Sequence, residues 1–493
     1  MFDLTPAAAG PVRSARSDPA EGAYRARRQS HWDRVAKALA TSRSLGGAYH
    51  RRIQRIYRFL VPAGQRVLEV GCGSGRLLDA VKPSVGVGVD FSMESLRQAR
   101  ARYPHLAFVQ ADAHALPLRP MFDTIILSDL VNDLWDVEQA FNQLLGAADE
   151  HTRLILNFYS RVWEPPLWAA QRLGLATHVL AQNWLTVQDM YNLLRLADWE
   201  PTRNWVEILL PLDVPVIGEV VNRFLAKLWP FTQATLTHFV IARPAATSKR
   251  SRRQPPRVSV IVPARNEAGN IAEIFARTPE MGAGTELIFV EGHSHDDTFG
   301  AIERAIAANP ARCARVLKQQ GRGKGDAVRL GFAEAQGDVL MILDADLTVA
   351  PEDLPRFYDA LVSGKGEFIN GVRLVYPMEK QAMRFFNLIG NKVFSMAFTW
   401  LIGQPVKDSL CGTKVLWASD YQRIAANRSF FGDFDPFGDF DLLFGAARLN
   451  LEIVDLPIRY RERTYGQTNI QRWKHGWLLL RMVLFAARRI KFV

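Results

Sequence analysis

The sequence predicts an α/β protein built from two doubly wound domains in tandem, and three observations carry that expectation. An apolar run, Arg66-Val67-Leu68-Glu69-Val70, enters a turn containing Gly71, Gly73 and Gly75 and is followed by a second run, Val85-Gly86-Val87-Gly88-Val89, that ends in Asp90. Far downstream, Val339-Leu340-Met341-Ile342-Leu343 stops abruptly in Asp344 and Asp346. Between them, residues 244–256 are polar, basic and bounded by prolines, the composition of an exposed tether. Apolar runs of this length that alternate with helical patterns are strands buried on both faces, and ligands in such sheets sit beyond the carboxyl ends of the strands. At 493 residues with 48% hydrophobic content, the chain is too long for one core and apolar enough for two.

Taken in order, residues 1–30 are rich in Ala, Pro, Ser and Arg and lack the apolar centre of a signal peptide, so a disordered arm is expected and secretion by that route is not. Cys72, Cys313 and Cys411 have no ligand or disulfide spacing, which implies a reducing compartment with neither disulfide nor zinc. The net charge of +11 is uneven: residues 243–257 carry six basic side chains and no acid, and residues 459–493 carry nine against one. The excess therefore belongs to a linker and a tail, and the rest is slightly acidic. A basic tail suits nucleic acid or an anionic membrane surface.

Residues 31–60 place Trp32, Val35, Leu39, Tyr49, Ile53, Ile56 and Leu60 at helical spacing, with a break near Gly46-Gly47. The glycines after Val70 let backbone approach a ligand closely and aim amides at it, and an acid about twenty residues on suits a ribose hydroxyl pair. Further strands are expected at Ala107–Gln110 and over residues 122–127. Residues 128–133 (Ser-Asp-Leu-Val-Asn-Asp) supply polar groups beyond the latter, while Asp133, Asp136 and His151 are read as helix-end or surface residues. Pro165-Pro166 opens a helix in an insert over residues 163–180.

On the Glu69-x-Gly-x-Gly-x-Gly turn, residues 31–243 resemble a class I S-adenosylmethionine-dependent methyltransferase with a Rossmann-like fold. The resemblance extends to Asn183-Trp184-Leu185-Thr186 with its helix to Leu196 and to a closing strand over residues 237–241. It implies that Glu69, Gly71, Gly73 and Gly75 line the methionine part of S-adenosyl-L-methionine, Asp90 the ribose and Asp112 the adenine. A nicotinamide-binding domain is disfavoured by Gly-x-Gly-x-Gly in place of Gly-x-Gly-x-x-Gly. No Asn-Pro-Pro-aromatic signature marks an amino-group acceptor, and the methyl acceptor stays open.

No repeat relates the two halves. After the tether, residues 258–263 (Val-Ser-Val-Ile-Val-Pro) read as a buried strand, with a helix from about Ala268 and a second strand over residues 286–290 ending in Glu291. Side chains two apart on a strand share a side, so Asp344 and Asp346 converge, and a hard divalent cation relieves their repulsion. This motif order resembles the family 2 glycosyltransferases of GT-A fold, most closely the polyprenyl-phosphate sugar transferases. The resemblance implies that Pro263, Arg265 and Glu267 hold the donor base together with Glu291, that Asp344 and Asp346 bind Mg2+ or Mn2+ on the donor diphosphate, and that Lys324 and Arg373 reach its phosphates. Asp408, Lys414 and Arg463 would serve the acceptor or a phosphate, and Asp439 or Asp441 in Gly438-Asp439-Phe440-Asp441 would be the base that an alcohol acceptor needs. A lipid phosphate, already anionic, needs none. Arg265 stands where the family has an aromatic residue and Gly292 where it has a second acid, so the nucleotide, GDP or UDP, stays open.

The second domain spans residues 257–493, with interfacial helices expected near residues 384–402 and 472–493. In the first, Asn387, Asn391, Ser395 and Thr399 form one polar stripe; Lys392 and the length argue against a spanning helix. In the second, Trp473 and Trp477 mix with Arg472, Lys474, Arg481, Arg488, Arg489 and Lys491. The sequence thus points to a bifunctional cytoplasmic enzyme attached peripherally to the inner face of the membrane. It would take a nucleotide sugar, transfer the sugar with inversion to a polyprenyl phosphate or glycolipid, and bind no nucleic acid. Two alternatives are a glycosyltransferase carrying a non-catalytic methyltransferase-like module, and a nucleic-acid-modifying protein.

Overall fold

A computed structural model describes residues 19–41, 47–118, 121–173, 180–212, 214, 216–245, 254–373, 385–428, 440–458, 465 and 472–492. They fall into two compact units, Met1–Lys249 with Phe492–Val493, and Arg250–Lys491.

The first unit holds a seven-stranded sheet of β1 (Arg66–Val70), β2 (Val85–Asp90), β3 (Ala107–Gln110), β4 (Phe122–Ser128), β5 (Ala148–Tyr159), β6 (Trp199–Glu207) and β7 (Thr237–Pro244), in the order β3-β2-β1-β4-β5-β7-β6. Strands β1 to β5 are parallel, and β7 runs antiparallel between β5 and β6. Alternation along each strand feeds two cores: Leu68, Val70, Ile125, Leu127, Leu154 and Leu156 pack on one face, and Val67, Ile126, Ile155 and Phe239 on the other. The order reverses between β1 and β4, which opens a crevice at their carboxyl ends. Tyr159 pairs with Thr237, and Glu207 pairs with the same residue. The segments after β5 and between β6 and β7 therefore rise at that same end of the sheet.

The expected arm over residues 1–30 needs correction. Pro19–Thr41 is helical, and its side chains dock by polar contacts instead of an apolar stripe. Arg28 is buried and pairs with Asp133 at 2.6 Å; Tyr24 and Trp32 donate to the same residue. Ala- and Arg-rich composition favours helix, and low hydrophobicity alone concealed it. Residues 1–18 lie outside the described residues. The helix Gly47–Leu60 buries Tyr49, Ile53, Ile56, Tyr57 and Leu60.

In the second unit, β8 (Val258–Ala264), β9 (Thr285–Glu291), β10 (Ala314–Lys318), β11 (Val339–Ile342), β12 (Phe368–Val372), β13 (Lys414–Trp417) and β14 (Ile453–Pro457) form a sheet of order β10-β9-β8-β11-β13-β12-β14. Only β13 opposes its neighbours. Strand β11 is buried throughout, with Met341 in one core and Leu340 and Ile342 in the other. After Leu343 donates to the Ile261 carbonyl at 3.0 Å the chain leaves the sheet, so Asp344 follows its last paired residue.

The helix Phe385–Ile402 buries Phe398, Leu401 and Ile402. Two residues of its polar stripe turn inward: Ser395 Oγ donates to the Val406 carbonyl at 2.7 Å, and Thr399 accepts from the Val406 amide at 3.1 Å. The outward face is apolar, with Val393, Met396 and Trp400 exposed. On the helix Arg472–Ala486, Trp477, Leu480 and Leu484 are exposed at helical spacing, and a π-helical turn, Ala487–Lys491, follows. Among the described residues no helix is long and apolar enough to cross a membrane.

Candidate functional sites

In the first unit the glycine turn follows β1 directly. Gly71, Gly73 and Gly75 all adopt positive φ. A side chain at Gly71 would strike Leu130 and one at Gly75 would strike Phe108, whereas beside Gly73 there is open space. Asp90, at the end of β2, accepts from the Gly73 and Ser92 amides at 2.8 Å each, which fixes its carboxylate across the turn; burial nonetheless pushes its carboxyl up. Glu69 is buried, burial raises its carboxyl well above the ordinary range, and its Oε2 has no hydrogen-bond partner among the described residues. An orphaned carboxylate oxygen two residues before a glycine turn fits a cationic ligand, such as the methionine end of a sulfonium cofactor. Asp112 pairs with Arg25 Nε at 2.9 Å and His114 Nδ1 at 2.6 Å; burial raises its carboxyl, but these partners outweigh burial and hold it low. Asp136 caps the helix Val137–Leu144, while Asp133 anchors the first helix.

In the second unit, Asp344 lies 2.6 Å from Lys324 Nζ at the start of the helix Lys324–Glu334. Burial pushes the Asp344 carboxyl up, yet Lys324, with Lys414 and Arg373, overrides that and holds it below its usual value. A side chain at Gly412 would collide with both Asp344 and Lys324, so the loop before β13 presses its backbone on the pair. Asp346 Oδ1 accepts from the Thr348 amide at 3.1 Å and hydroxyl at 2.7 Å. Among the described residues no cluster of three His, Cys, Asp or Glu side chains is arranged for a metal. Two carboxylates are enough for a hard divalent ion that takes its other ligands from a diphosphate.

Arg373 and Asp408, expected to serve donor and acceptor separately, grip each other through Nε–Oδ2 at 2.7 Å and Nη2–Oδ1 at 2.8 Å. Lys414 is buried and donates to the Cys411 carbonyl. Glu267 is buried and accepts from Asn270 at 2.7 Å, Pro263 is half-buried and Arg265 is exposed. Glu291 accepts from the Ser294 amide at 2.6 Å. Where Gly292 replaces an acid, a side chain would meet Gln319 Oε1. Asp441 is buried against Arg428 at 2.9 Å; Asp439 and Arg463 lie outside the described residues.

Residues 67–148 match the family model described as "Methyltransferase domain", and residues 259–414 match "Glycosyl transferase family 2". The chain joins a methyltransferase domain to a family 2 glycosyltransferase domain. Over 227 residues it is 27% identical to the glycosyltransferase AglJ of Haloferax volcanii, covering 46% of this chain and 70% of that protein. Over 110 residues it is 36% identical to a dolichol-phosphate mannosyltransferase of Pyrococcus furiosus, covering 22% of this chain and 31% of that one. Among solved structures, an S-adenosylmethionine-dependent methyltransferase of Thermotoga maritima aligns over 38% of this chain and 86% of its own at 16% identity and a TM-score of 0.31.

In the glycosyltransferase domain, sequence reasoning passed over a set of hydrogen bonds that tie the loop after β9 to the loop after β8: Asp296 accepts from the Ala268 amide at 3.3 Å, Ser294 Oγ from the Asn266 amide at 3.0 Å and Asn266 Oδ1 from the His295 amide at 2.7 Å. In the methyltransferase domain, sequence reasoning placed Asp129 only within the polar run 128–133 and gave it no role of its own. Its left-handed backbone (φ 56°) turns the chain just beyond β4, and its Oδ1 accepts from Tyr49 Oη and Asn157 Nδ2, each at 2.6 Å. A polar residue immediately after a buried strand was the available signal.

Proposed function

We propose that the chain is a bifunctional transferase working at a membrane surface. Its second domain moves a sugar, with inversion, from a GDP- or UDP-linked donor to a polyprenyl phosphate or glycolipid, and its first domain methylates a molecule of the same assembly route. The observation that carries the reading is Asp344: a carboxylate held ionised by Lys324, Lys414 and Arg373 just beyond a fully buried strand. Asp344 and Asp346 would hold Mg2+ or Mn2+, which when bound neutralises charge on the departing nucleoside diphosphate. Lys324 adds a second positive charge on the same side. Asp441 is committed to Arg428, which accords with an acceptor that brings its own negative charge. In the first domain, Glu69, Asp90 and the glycine turn would hold S-adenosyl-L-methionine, a methyl donor.

Attachment to the inner face of the membrane is supported by the exposed Trp400, Trp477, Leu480 and Leu484 beside Arg481, Arg488 and Arg489. Lys491 lies over the Trp400 ring at 5.1 Å, joining charge to that apolar face. In the methyltransferase domain, Val162, Trp168, Val216, Ile217, Trp229 and Phe231 are exposed on the segments that rise beyond β5 and β6, which suits a lipid-borne substrate.

The test is a hydrolysis screen of nucleotide sugars with and without manganese, run on the wild type, Asp344→Asn and Asp346→Asn. One donor is expected to be hydrolysed only with metal, and each variant to lose roughly 10²-fold or more, equivalent to several kcal/mol. Undiminished hydrolysis in both variants would refute the metal assignment.

A further inference from the structure

We propose that Asp129 is the general base of the methyltransferase domain and that the methyl acceptor is an alcohol, a hydroxyl group of a sugar. This rests on the methyl-transfer reading above and deepens it.

Position comes first. Strands β1 and β4 are neighbours with Glu69 opposite Ile126, so the turns that follow them are adjacent. Leu130, next to Asp129, packs where a side chain at Gly71 would lie. Tyr57 feels the charge of both Glu69 and Asp129, which is consistent with Asp129 lying beside the proposed cofactor cradle.

The carboxylate is also aimed. Tyr49 and Asn157 both donate to Oδ1, and Tyr57 Oη donates to Asn157 Oδ1 at 2.8 Å, which fixes the amide so that its NH2 faces Asp129. No hydrogen bond from the described residues reaches Oδ2, and Asp129 remains partly open to solvent. One oxygen is thus clamped while the other is left without a donor among the described residues. Burial raises the carboxyl to about 6 against the opposing pull of these two hydrogen bonds, near the value at which a base is both ionised and basic at neutral pH.

The chemistry selects the acceptor class. A carboxylate acceptor needs no base and would be repelled by Asp129, whereas a neutral alcohol must lose its proton as it attacks. The alcohol oxygen forms a bond to the methyl carbon of S-adenosylmethionine, and the carbon–sulfur bond breaks with its electron pair returning to sulfur. Asp129 Oδ2 takes the hydroxyl proton and later passes it to water. The products are a methyl ether and S-adenosylhomocysteine.

The test uses the full chain, tritiated-methyl S-adenosylmethionine, and a panel of octyl hexopyranosides beside octylamine and octanoate. S-adenosylhomocysteine binding is measured by calorimetry on every protein. Expected are base-stable label in at least one hexoside, a rate that rises with pH through a limb near 6, and a loss of roughly 10²- to 10⁴-fold in kcat for Asp129→Asn with S-adenosylhomocysteine affinity kept within twofold. Tyr49→Phe removes a donor that favours the ionised form, so its limb moves to higher pH, an effect that a purely structural tyrosine would not produce. Label confined to octylamine or octanoate, no labelled hexoside, or an Asp129→Asn rate within fivefold of wild type overturns the proposal. Absence of S-adenosylhomocysteine binding by the wild type would instead remove the methyl-transfer reading beneath it.

Discussion

Glu69, Asp90 and Asp129 are three carboxyls gathered at the carboxyl ends of β1, β2 and β4, and burial raises all three. Folding therefore favours their protonated forms. With folded values above the unfolded ones, the native state binds more protons between them, and the first domain loses stability as pH rises from about 4 through about 6. For Asp129 alone the effect reaches about 3 kcal/mol at most. Asp129→Asn removes the ionisation but keeps the shape, so above pH 6 the variant is expected to be more stable than the wild type, and at pH 4 nearly equal to it. Hydrogen exchange of the β4 and β5 amides across pH 4 to 8 measures this; equal protection at pH 8 would contradict it. Asp344 and Asp408 have the opposite sign: burial raises each, but their cationic neighbours prevail and hold them low. Their contribution is present above the ordinary carboxylate range and lost as pH falls through the depressed values. The acids at the strand ends were legible one by one, because an acid ending an apolar strand leaves a mark in the sequence. Their partners were not. Arg373 and Asp408 are separated by a long segment, and nothing local announces that they clasp each other.

Among elements, the helix Pro19–Thr41 is the one whose role the sequence concealed. Its contacts are polar: Arg25 to Asp112, Arg28 to Asp133, Gln29 to the Phe91 carbonyl at 3.1 Å, and Ser92 Oγ to Asp33 at 2.5 Å. They brace the loops after β2 and β3 that present Asp90 and Asp112. Hydrophobic periodicity detects apolar faces, so the spacing of Trp32, Val35 and Leu39 marked the second half of this helix while its first half, bound through arginine and carboxylate, passed unnoticed; Gly47–Leu60 with its buried stripe did not. Strands with long apolar runs were legible for the same reason. The outer strands β6, β10 and β14 were not, since they are only partly buried and their pattern is broken by polar residues, and the more buried β5, β12 and β13 were not read either. Arg28→Ala would leave partly buried Asp133 short of its cation, a change worth at most about 3–5 kcal/mol when nothing else moves. Release of the helix limits that cost. The expected outcome is trypsin cleavage within residues 25–37 that the wild type resists, with S-adenosylhomocysteine affinity reduced about tenfold, or 1.4 kcal/mol. Wild-type affinity together with new cleavage would show that the helix does not brace the cofactor loops.

At the scale of the whole molecule, each domain has its own pair of cores, on either face of its own sheet. Tandem architecture was readable because the basic, proline-bounded stretch separates two complete strand–helix series. What the sequence left ambiguous was the meaning of the charge. The tail's basic residues suit RNA as well as lipid, but the exposed Trp477, Leu480 and Leu484 favour lipid, since single-strand binding would place aromatics in a groove for bases to stack on. The two partners respond differently to salt and to mutation. Full-length protein is expected to sediment with vesicles containing phosphatidylserine and much less with neutral vesicles, each basic residue near the surface contributing about 1 kcal/mol. Trp477→Ser with Leu484→Ser removes apolar insertion while keeping every charge, so binding at 0.5 M salt, where electrostatics is screened, should drop most. Retention of vesicle binding in that double variant, or stronger and steeply salt-dependent binding to single-stranded RNA than to anionic vesicles, would reverse the assignment of this face from lipid to nucleic acid.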